Sequence, residues 1–379
     1  MPHSTWLEVN LDALQGNLRR MHALAGTPVM AVVKANAYGH GAEAVARAVA
    51  AAGAEWLGVA RVDEGLALRR AGLALPILVM GYTPPALAAD ALGHDLTLAV
   101  FDAEAAQAYA AAARALNRSA RVHFKVDTGM GRLGALPQEA PALYRALHDL
   151  EGLEVDGVFT HFARADEPEQ SEVGVTPGQP PAAPAQLAAF EAVLRSLERR
   201  PRWVHAANSA AGLTLPGARF DVVRLGIALY GLDPSEAVRC PPDFRPALTW
   251  KALVTQVKHL PAGHGVSYGH QYVTTTPETV AAVAVGYADG YRRALGVNEV
   301  LVHGQRAPVR GRVCMDQIIV GVSHIPAVRP GDEAVLIGCQ GQAPGPVDAL
   351  TAEDLARRWG TINYDVTSGI MARVARLYV

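Results

Sequence analysis

Eight short apolar runs, each followed by a stretch suited to a helix, constrain the fold of the first part of this chain. The runs are residues 28–34, 56–60, 76–80, 96–100, 121–127, 153–160, 203–207 and 222–226. Strands buried on both faces read as continuous apolar segments, and parallel strands need helical crossovers. Eight such units predict an α/β fold, a closed (β/α)₈ TIM barrel. An open doubly wound sheet would show fewer strands and a G-x-G-x-x-G after the first.

The sequence changes character after residue 232. Residues 233–246 are rich in proline and charge and are typical of a linker. Beyond them, β-rich runs separated by glycine and proline predict a C-terminal mainly-β domain. We therefore predict two domains, 1–235 and 236–379. The segment 163–183 is a long loop rich in proline and acidic residues, and loops of this length are usually functional or mobile.

Composition argues against several classes of function. The 379 residues are 50% hydrophobic, with a formal net charge of −2 and no block of Lys and Arg, so nucleic acid is an improbable partner. We find neither a secretory signal nor a run long enough to cross a membrane. Three widely spaced cysteines argue against a disulfide framework and against a metal site. We expect a soluble cytoplasmic protein.

Several residues, a number of them ionisable, fall on one predicted rim, the C-terminal ends of the barrel strands, where active sites of this fold lie. They are Lys34 and Tyr38 after the first strand, Asp127 and Arg132 after the fifth, His161 after the sixth, Asn208 and Ser209 after the seventh, and Arg224 and Gly226 at the eighth. Burial beside other cations lowers the pKa of a lysine and allows it to form a Schiff base. Alone, Lys34 is better explained as a solvent-reaching or paired lysine. The neighbouring cations on the rim favour the reactive amine.

Residues 206–212 and 224–231 follow the seventh and eighth strands, where barrels frequently bind phosphate. On local grounds, an ordinary helix cap and a packing glycine explain these segments equally well. A Schiff-base lysine and a phosphate site on one rim together indicate pyridoxal 5′-phosphate. A cofactor-free lysine aldolase acting on a sugar phosphate fits the barrel as well, but it leaves the second domain unexplained.

Nine segments resemble, in order, those of the alanine racemase family. They are residues 31–42, 126–134, 160–163, 207–210, 224–231, 266–270, 285–291, 311–317 and 362–366. The resemblance covers nearly the whole chain. It implies a pyridoxal 5′-phosphate enzyme with a barrel and a C-terminal β domain, acting as a homodimer with shared active sites. Such an enzyme interconverts L- and D-alanine and supplies D-alanine for peptidoglycan.

The resemblance also implies a role for individual residues. Lys34 would carry the cofactor as a Schiff base and act as one catalytic base. Tyr268 would act as the other base from the opposite face of the cofactor, supplied by the neighbouring subunit. The implied cofactor-binding residues are Lys34, Tyr38, His161, Asn208, Ser209, Arg224, Gly226, Ile227 and Tyr364. Arg132 and Met315 would bind the substrate, and the implied supporting residues are Lys125, His205, Tyr287 and Asp316. In the family Lys125 is often carbamylated.

Two of these residue types suit racemisation for physical reasons. A tyrosine, with its ordinary pKa near ~10, acts as a base only if neighbouring cations lower that value. The implied chain from His161 to Arg224 and His205 would do so for Tyr268. Arginine only donates hydrogen bonds, so a pyridine nitrogen facing Arg224 would stay unprotonated. This weakens the electron sink and should suppress transamination.

Other functions stay open on the sequence alone. Cys314 gives some support to a decarboxylase of similar architecture acting on a basic amino acid, whereas Tyr268 and Arg224 argue against it. A racemase of broader specificity is a further alternative. A non-catalytic pyridoxal phosphate carrier is disfavoured by the second domain. Gly321 departs from the family, which commonly has an acidic residue at that position.

Overall fold

The computed structural model describes residues 3–167, 182–341 and 347–379. The predicted loop 163–183 lies largely outside these residues. The chain divides into two compact units. The barrel unit consists of Asp12–Ala37 and Ala42–Arg245, and the β-rich unit consists of the chain up to Leu11, Tyr38–Gly41 and Pro246–Val379. The predicted domain boundary at residue 235 stays a prediction.

Eight parallel strands form the sheet of the barrel unit. Counting Thr5–Val9 of the β-rich unit as β1, they are β2 (Val29–Val32), β3 (Trp56–Val59), β4 (Ile77–Val79), β5 (Thr97–Val100), β6 (Ala120–Lys125), β7 (Leu153–Phe159), β8 (Trp203–His205) and β9 (Val223–Leu225). Each coincides with one predicted run, so the prediction of a (β/α)₈ barrel is confirmed. The strands pair in the order β8-β7-β6-β5-β4-β3-β2-β9. Two hydrogen bonds near the ends, Asp221 N–H to the Val204 carbonyl and Arg224 N–H to the Ala207 carbonyl, both 3.0 Å, bring the sheet close to closure.

Helices alternate with these strands. They are Leu11–Ala25, Ala42–Ala51, Val62–Arg70, Ala88–Gly93, Ala103–Ala115, Ala140–His148, Ala183–Ser196 and Ser209–Thr214. The helix Ala103–Ala115 shows why these segments fold as they do. Asp102 caps its N-terminus by accepting the Ala105 N–H at 2.7 Å, and alanine carries the highest intrinsic helix propensity. Its buried face includes Ala106, Tyr109 and Ala113.

Apolar side chains from neighbouring strands fill part of the barrel core. Met30, Trp56 and Leu78, from β2, β3 and β4, form one cluster with Val222. Fully burying a large apolar side chain stabilises the fold by about 1.5–3 kcal/mol. This packing holds β2, β3 and β4 together, and the C-terminal ends of the barrel strands carry the site described below.

The β-rich unit contains the remaining strands. They are β1, β10 (Leu248–Leu260), β11 (Gly265–Val266), β12 (Tyr272–Val273), β13 (Glu278–Val283), β14 (Glu299–Val302), β15 (Gln305–Pro308), β16 (Ile318–Gly321), β17 (Glu333–Gln340), β18 (Asp348–Leu350) and β19 (Ala375–Tyr378), with helices Ala352–Trp359 and Asn363–Ser368. The main path runs β15-β14-β17-β10-β1-β19, and β13 pairs with β10 and β16. The predicted mainly-β character is confirmed. Strand β1, antiparallel to β10 and parallel to β19, was not among the predicted runs.

The structure gives a physical reason for the unusual Gly321. A Cβ atom there would lie 2.6 Å from Oε1 of Glu278 and 2.8 Å from Nε of Arg310. These two side chains form an ion pair at 2.8 Å, and Glu278 also accepts the Tyr272 hydroxyl at 2.5 Å. An acidic side chain from the neighbouring strand β13 therefore occupies the space beside Gly321.

Candidate active site

Lys34 follows the C-terminal end of β2. The strand's hydrogen bonding continues to Val33, whose N–H donates to the Gly58 carbonyl at 2.9 Å. The Lys34 side chain is half-buried. Burial lowers its pKa, the charges of Arg132 and Arg224 lower it further, and Glu64 raises it. More of this amine is therefore neutral at a given pH than in an ordinary lysine, as a nucleophile or base requires.

The backbone after Lys34 makes a left-handed turn. Residues Ala35, Asn36, Ala37 and Tyr38 have φ angles of 51°, 53°, 54° and 53°. Each non-glycine residue in this region costs roughly 1–2 kcal/mol. Ala37 N–H donates to the Val33 carbonyl at 2.9 Å, and Oδ1 of Asn36 accepts the Ala42 N–H at 2.9 Å. Such strain clusters at functional sites, and the sequence did not predict it.

Asp127 organises the loop that carries Arg132. Its Oδ1 accepts the N–H groups of Gly129, Met130 and Gly131, and its Oδ2 accepts that of Arg132 at 3.0 Å. Burial alone would raise the pKa of Asp127, but these backbone hydrogen bonds hold it below the ordinary value. The ionised carboxylate thus fixes the backbone that presents Arg132 to the rim.

Lys125, at the end of β6, is buried. Burial, with the charges of Arg224 and Arg132, lowers its pKa to about 8. The amine stands 5.2 Å from the centre of the Phe159 ring. At neutral pH a larger fraction of this amine is therefore neutral than in an ordinary lysine, and the neutral amine is the form that reacts with carbon dioxide. The carbamylation implied by the resemblance stays a prediction.

Arg224 is the centre of a buried hydrogen-bond network. Its Nη1 donates to Nδ1 of His205 at 2.9 Å, and its Nη2 donates to the carbonyls of Thr160 and Ala206, both at 2.8 Å, and to Nδ1 of His161 at 3.2 Å. Burial lowers the pKa of Arg224 to about 9, which still leaves it cationic at neutral pH. Within the described residues Nε of Arg224 makes no hydrogen bond, so it can donate to a ligand.

This network fixes the tautomers of two histidines. Because arginine only donates, Nδ1 of His205 accepts the Nη1–H, and the proton of that neutral ring is on Nε2. Nη2 has two hydrogens for three acceptors, so its contact with Nδ1 of His161 is the longer branch of a shared bond. An unprotonated Nδ1 beside this cation is still the favoured form of the neutral His161 ring, with its proton on Nε2. Burial and the charge of Arg224 lower the pKa of both rings well below the ordinary value. His161 therefore offers an Nε2–H donor to any group that approaches the half-buried ring.

His123, in β6, extends the network. The sequence did not predict a role for this residue. Its Nδ1 lies 2.8 Å from Nε2 of His205 and must accept that proton. A bulge between Val122 and His123 shifts the pairing of β6 with β7, which redirects side chains. A Cβ on Gly157 would lie 2.6 Å from Cγ of His123. A lone histidine inside an apolar strand gives no sequence signal of this role.

We expect His123→Phe to lower the free energy of unfolding by about 0.5–1.5 kcal/mol at pH 8, the net value of one hydrogen bond. Nε2–H of His205 loses its acceptor, while the buried Nε2–H of His123, which has no partner among the described residues, is removed. Burial lowers the pKa of His123 to about 3. Below pH ~6.5 the unfolded chain therefore binds a proton that the native chain does not, and stability falls as pH falls. The variant lacks this site, so between pH 6 and 5 it should lose up to ~1.4 kcal/mol per pH unit less than the wild type.

Urea unfolding at pH 8, 6 and 5 measures both effects. His123→Gln is the matched control, since its amide oxygen can accept the His205 proton and should restore most of the stability at pH 8. Equal stability of His123→Phe and the wild type at pH 8 would contradict the assigned network.

Ser209 joins the ends of the last two barrel strands. Its hydroxyl accepts the N–H groups of Gly226 at 2.9 Å and Ala228 at 3.3 Å, while Asn208 caps the helix Ser209–Thr214 by accepting the Ala211 N–H at 3.0 Å. Ile227 begins a 3₁₀ turn, where the first N–H has no partner within the turn. The structure therefore brings Asn208, Ser209, Gly226 and Ile227 together; that they bind a phosphate stays a prediction.

The other predicted site residues belong to the β-rich unit. Tyr38 is buried, which raises the pKa of its phenol, and its ring lies 6.0 Å from that of Tyr364. Tyr268 and Met315 line one groove of this unit. The Tyr287 N–H donates to the Cys314 carbonyl at 3.0 Å and the Ala288 N–H to the Met315 carbonyl at 3.0 Å, which places Tyr287 beside that groove.

These side chains are unusually open to solvent for apolar groups. Tyr268 is 66% exposed, Met315 52% and Tyr287 44%. Asp316 lines the same groove, and its carboxylate pairs with Arg373 at 2.9 Å. Arg373 in turn pairs with the buried Asp289 at 3.1 Å. An exposed groove with aromatic and thioether side chains on a fixed backbone is suited to covering a ligand or a protein surface.

Two kinds of feature are not found in the described residues. Among residues 3–167, 182–341 and 347–379 there is no group of three or more His, Cys, Asp or Glu side chains that could hold a metal ion. In the same ranges no helix is both long and apolar enough to pass through a bilayer.

Comparison with known proteins identifies the family. Residues 9–234 match the family "Alanine racemase, N-terminal domain", and residues 247–378 match "Alanine racemase, C-terminal domain". Alanine racemase of Symbiobacterium thermophilum is 48% identical over 99% of this chain and 97% of its own length. That of Desulfovibrio desulfuricans is 45% identical over 99% and 98%.

Comparison with solved structures indicates the same family. Alanine racemase of Clostridium difficile 630 superposes with a TM-score of 0.91 at 38% identity, covering 100% of this chain and 96% of that one. That of Bartonella henselae, described with covalently bound pyridoxal phosphate, gives 0.88 at 27% identity and covers 100% of both chains. The resemblance predicted from the motifs is confirmed: the chain belongs to the alanine racemase family of isomerases, whose members are pyridoxal phosphate enzymes.

Proposed function

We propose that this protein interconverts L- and D-alanine with pyridoxal 5′-phosphate, by a two-base mechanism that uses Lys34 and Tyr268. The observation that carries the proposal is the set of charged side chains at the barrel rim. A half-buried lysine with a lowered pKa stands near Arg132 and near Arg224, a buried cation whose Nε has no acceptor in the described residues. Bacillus anthracis alanine racemase, 38% identical with a TM-score of 0.90, is described with bound L-Ala-P, which supports an alanine-sized substrate.

The residues present fit this cofactor. The amine of Lys34 would hold the cofactor covalently, through the cofactor's aldehyde carbon. The hydroxyl of Ser209, the phenols of Tyr38 and Tyr364 and the N–H groups at Gly226 and Ile227 suit a phosphate, and Asn208 caps the helix that starts at Ser209. The unpaired Nε–H of Arg224 suits an unprotonated ring nitrogen. When bound, pyridoxal phosphate supplies an electron sink for the charge that develops at the substrate α-carbon.

Racemisation needs two proton carriers, one on each side of the substrate α-carbon. A single base would tend to return the proton to the face it came from. Nζ of Lys34 would move a proton at one face and the phenolic oxygen of Tyr268 at the other. Tyr268 lies in the β-rich unit and is largely exposed, and we infer that a homodimer places it over the rim of the neighbouring barrel.

The tautomer of His161 supports the role of Tyr268. Nδ1 of His161 accepts from Arg224, so its Nε2–H can donate to a phenolic oxygen. A hydrogen bond to the charged form of an acid lowers its pKa. His161 would thus stabilise the phenolate of Tyr268 in the assembled site, with the charge of Arg224 behind it and His205 and His123 fixing the orientation of Arg224.

Two further groups would select the substrate. Arg132 would pair with the substrate carboxylate, and the Met315 N–H would donate to it. Tyr287 would restrict the size of the pocket, although an extra methylene is worth only ~1–3 kcal/mol; some turnover of serine is therefore expected. Asp316 would act indirectly, through its ion pair with Arg373. We propose that the product D-alanine serves peptidoglycan synthesis; the cytoplasmic location stays a prediction.

Chiral analysis of L-alanine incubated with the protein and pyridoxal phosphate tests the proposal. We expect D-alanine to accumulate to near parity, because the two enantiomers have equal free energy. L-Lysine, L-ornithine and L-arginine are tested in parallel for carbon dioxide release, the reaction of the decarboxylase alternative. Carbon dioxide release without any D-alanine would show that the proposed reaction is wrong, and comparable racemisation of larger amino acids would favour the broader racemase.

A further inference from the structure

The left-handed turn after Lys34 is strained, and a side chain from a different loop supports it. Ala35, the first residue of the turn, donates its N–H to Oε1 of Glu64 at 2.6 Å. Glu64 belongs to the helix Val62–Arg70, which follows β3. The hydrogen bond therefore connects the loops after two adjacent barrel strands at the residue next to Lys34.

The Glu64 carboxylate is itself fixed in place. Its other oxygen, Oε2, accepts the N–H of Ala60 at 2.8 Å and the N–H of Arg61 at 3.2 Å. The second of these bonds is half of a capping box and explains a glutamate at this position as a helix-start residue. It does not explain the bond from Oε1 to Ala35, which lies outside that helix and supports a conformation that alanine otherwise avoids.

Glu64 also affects the charge balance at the amine. The positive groups near Lys34 lower its pKa, and Glu64 is the carboxylate that opposes them. The adjacent Asp63 makes no such contact, because it pairs with Arg61 at 2.9 Å on the exposed side of the helix. Of these two neighbouring acids, only Glu64 accepts the Ala35 N–H, so Asp63 provides a matched control.

We propose that Glu64 is a positioning residue for Lys34, which holds the left-handed turn through the Ala35 N–H and so fixes the direction in which the amine leaves strand β2. The inference rests on the proposed role of Lys34 as the reactive amine. Loss of the Glu64 carboxylate would let the turn relax towards ordinary backbone angles and would move the amine off the position that the reaction requires.

The experiment compares three variants with the wild type as full-length holoenzymes. In Glu64→Ala we expect kcat for L-alanine to fall about tenfold or more, with KM changed by less than about threefold, because the positioning of a proton carrier and not the binding of substrate is lost. Asp63→Asn should keep the wild-type kcat. In the double variant Glu64→Ala with Ala35→Gly, kcat should recover by at least about threefold, because glycine adopts a positive φ without strain.

A second readout does not depend on turnover. The chain has four lysines, Lys34, Lys125, Lys251 and Lys258, so trace acetylation with acetic anhydride, followed by peptide mass spectrometry, reports each amine separately. In the full-length protein freed of cofactor, the pH at half-maximal labelling of Lys34 should fall in Glu64→Ala and also in the double variant. The charge is lost in both, whereas the turn is relieved of strain only in the double variant.

Two results would overturn the proposal. One is a wild-type kcat in Glu64→Ala, whatever the labelling of Lys34 shows. The other is a double variant whose kcat is as low as that of Glu64→Ala, with the melting temperature lowered equally in both. That result would mean that Glu64 only caps its own helix. If the wild type forms no D-alanine, the proposed function fails instead, and the labelling of Lys34 still shows whether Glu64 controls this amine.

Discussion

Lys34→Ala is expected to reduce racemisation of alanine by about 10⁴-fold or more, because it removes both the covalent attachment of the cofactor and one of the two proton carriers. Among the side chains of the barrel unit, Lys125 carries the only other lysine amine. Lys125 is buried against the ring of Phe159 and begins from a different strand, so it is badly placed to substitute. The rate of D-alanine formation from L-alanine measures the effect.

Two controls separate chemistry from folding in this experiment. Lys34→Arg keeps a cation on the rim but has no amine that can attack an aldehyde, so it should be as inactive as Lys34→Ala. Lys258→Ala removes an exposed lysine from β10 and should leave the rate unchanged. Activity of Lys34→Ala above one-hundredth of the wild type, in a folded protein, would contradict the assigned role of this residue.

The barrel could be predicted because each of its strands is specified by a short, continuous segment of sequence. Each of the eight strands is a short apolar run whose burial on both faces requires continuous apolar sequence, and each run was found in the structure. Strand β1 could not be predicted in the same way. Its five residues are followed directly by the helix Leu11–Ala25, and its partners β10 and β19 lie more than two hundred residues away in the sequence.

Only some residues of the candidate site could be predicted from the sequence, and the physical reason differs from that for the barrel. Lys34, His161 and Arg224 lie at or directly beside strand ends and Arg132 lies in the loop that follows β6, on the side of the barrel where the fold itself indicates chemistry. The left-handed turn at Ala35 carries no comparable signal, because alanine rarely adopts it and only tertiary contacts can impose it. Glu64 has the sequence signature of an ordinary helix start. Residues that act by holding other residues are visible only when distances are known.

The test of the second base must account for a thermodynamic constraint. L- and D-alanine have equal free energy, so the ratio of kcat/KM for the two directions of racemisation is fixed at one for every variant. Loss of either base therefore slows both directions equally and cannot reveal which face it served. Exchange of the α-proton with solvent is free of this constraint, since each enantiomer can lose and regain a proton on its own face.

Tyr268→Phe is therefore expected to slow α-proton exchange in D₂O by about 10²–10⁴-fold for one enantiomer, the contribution of a general base, and by much less for the other. Proton NMR of L- and D-alanine in separate samples measures both rates. Tyr82→Phe, which removes the hydroxyl of an exposed tyrosine of the barrel unit, is the matched control and should change neither rate. Because Lys34 remains intact in Tyr268→Phe, the enantiomer whose proton faces the amine must still exchange. Equal impairment of both enantiomers would contradict the assignment of the phenol and the amine to opposite faces of the substrate.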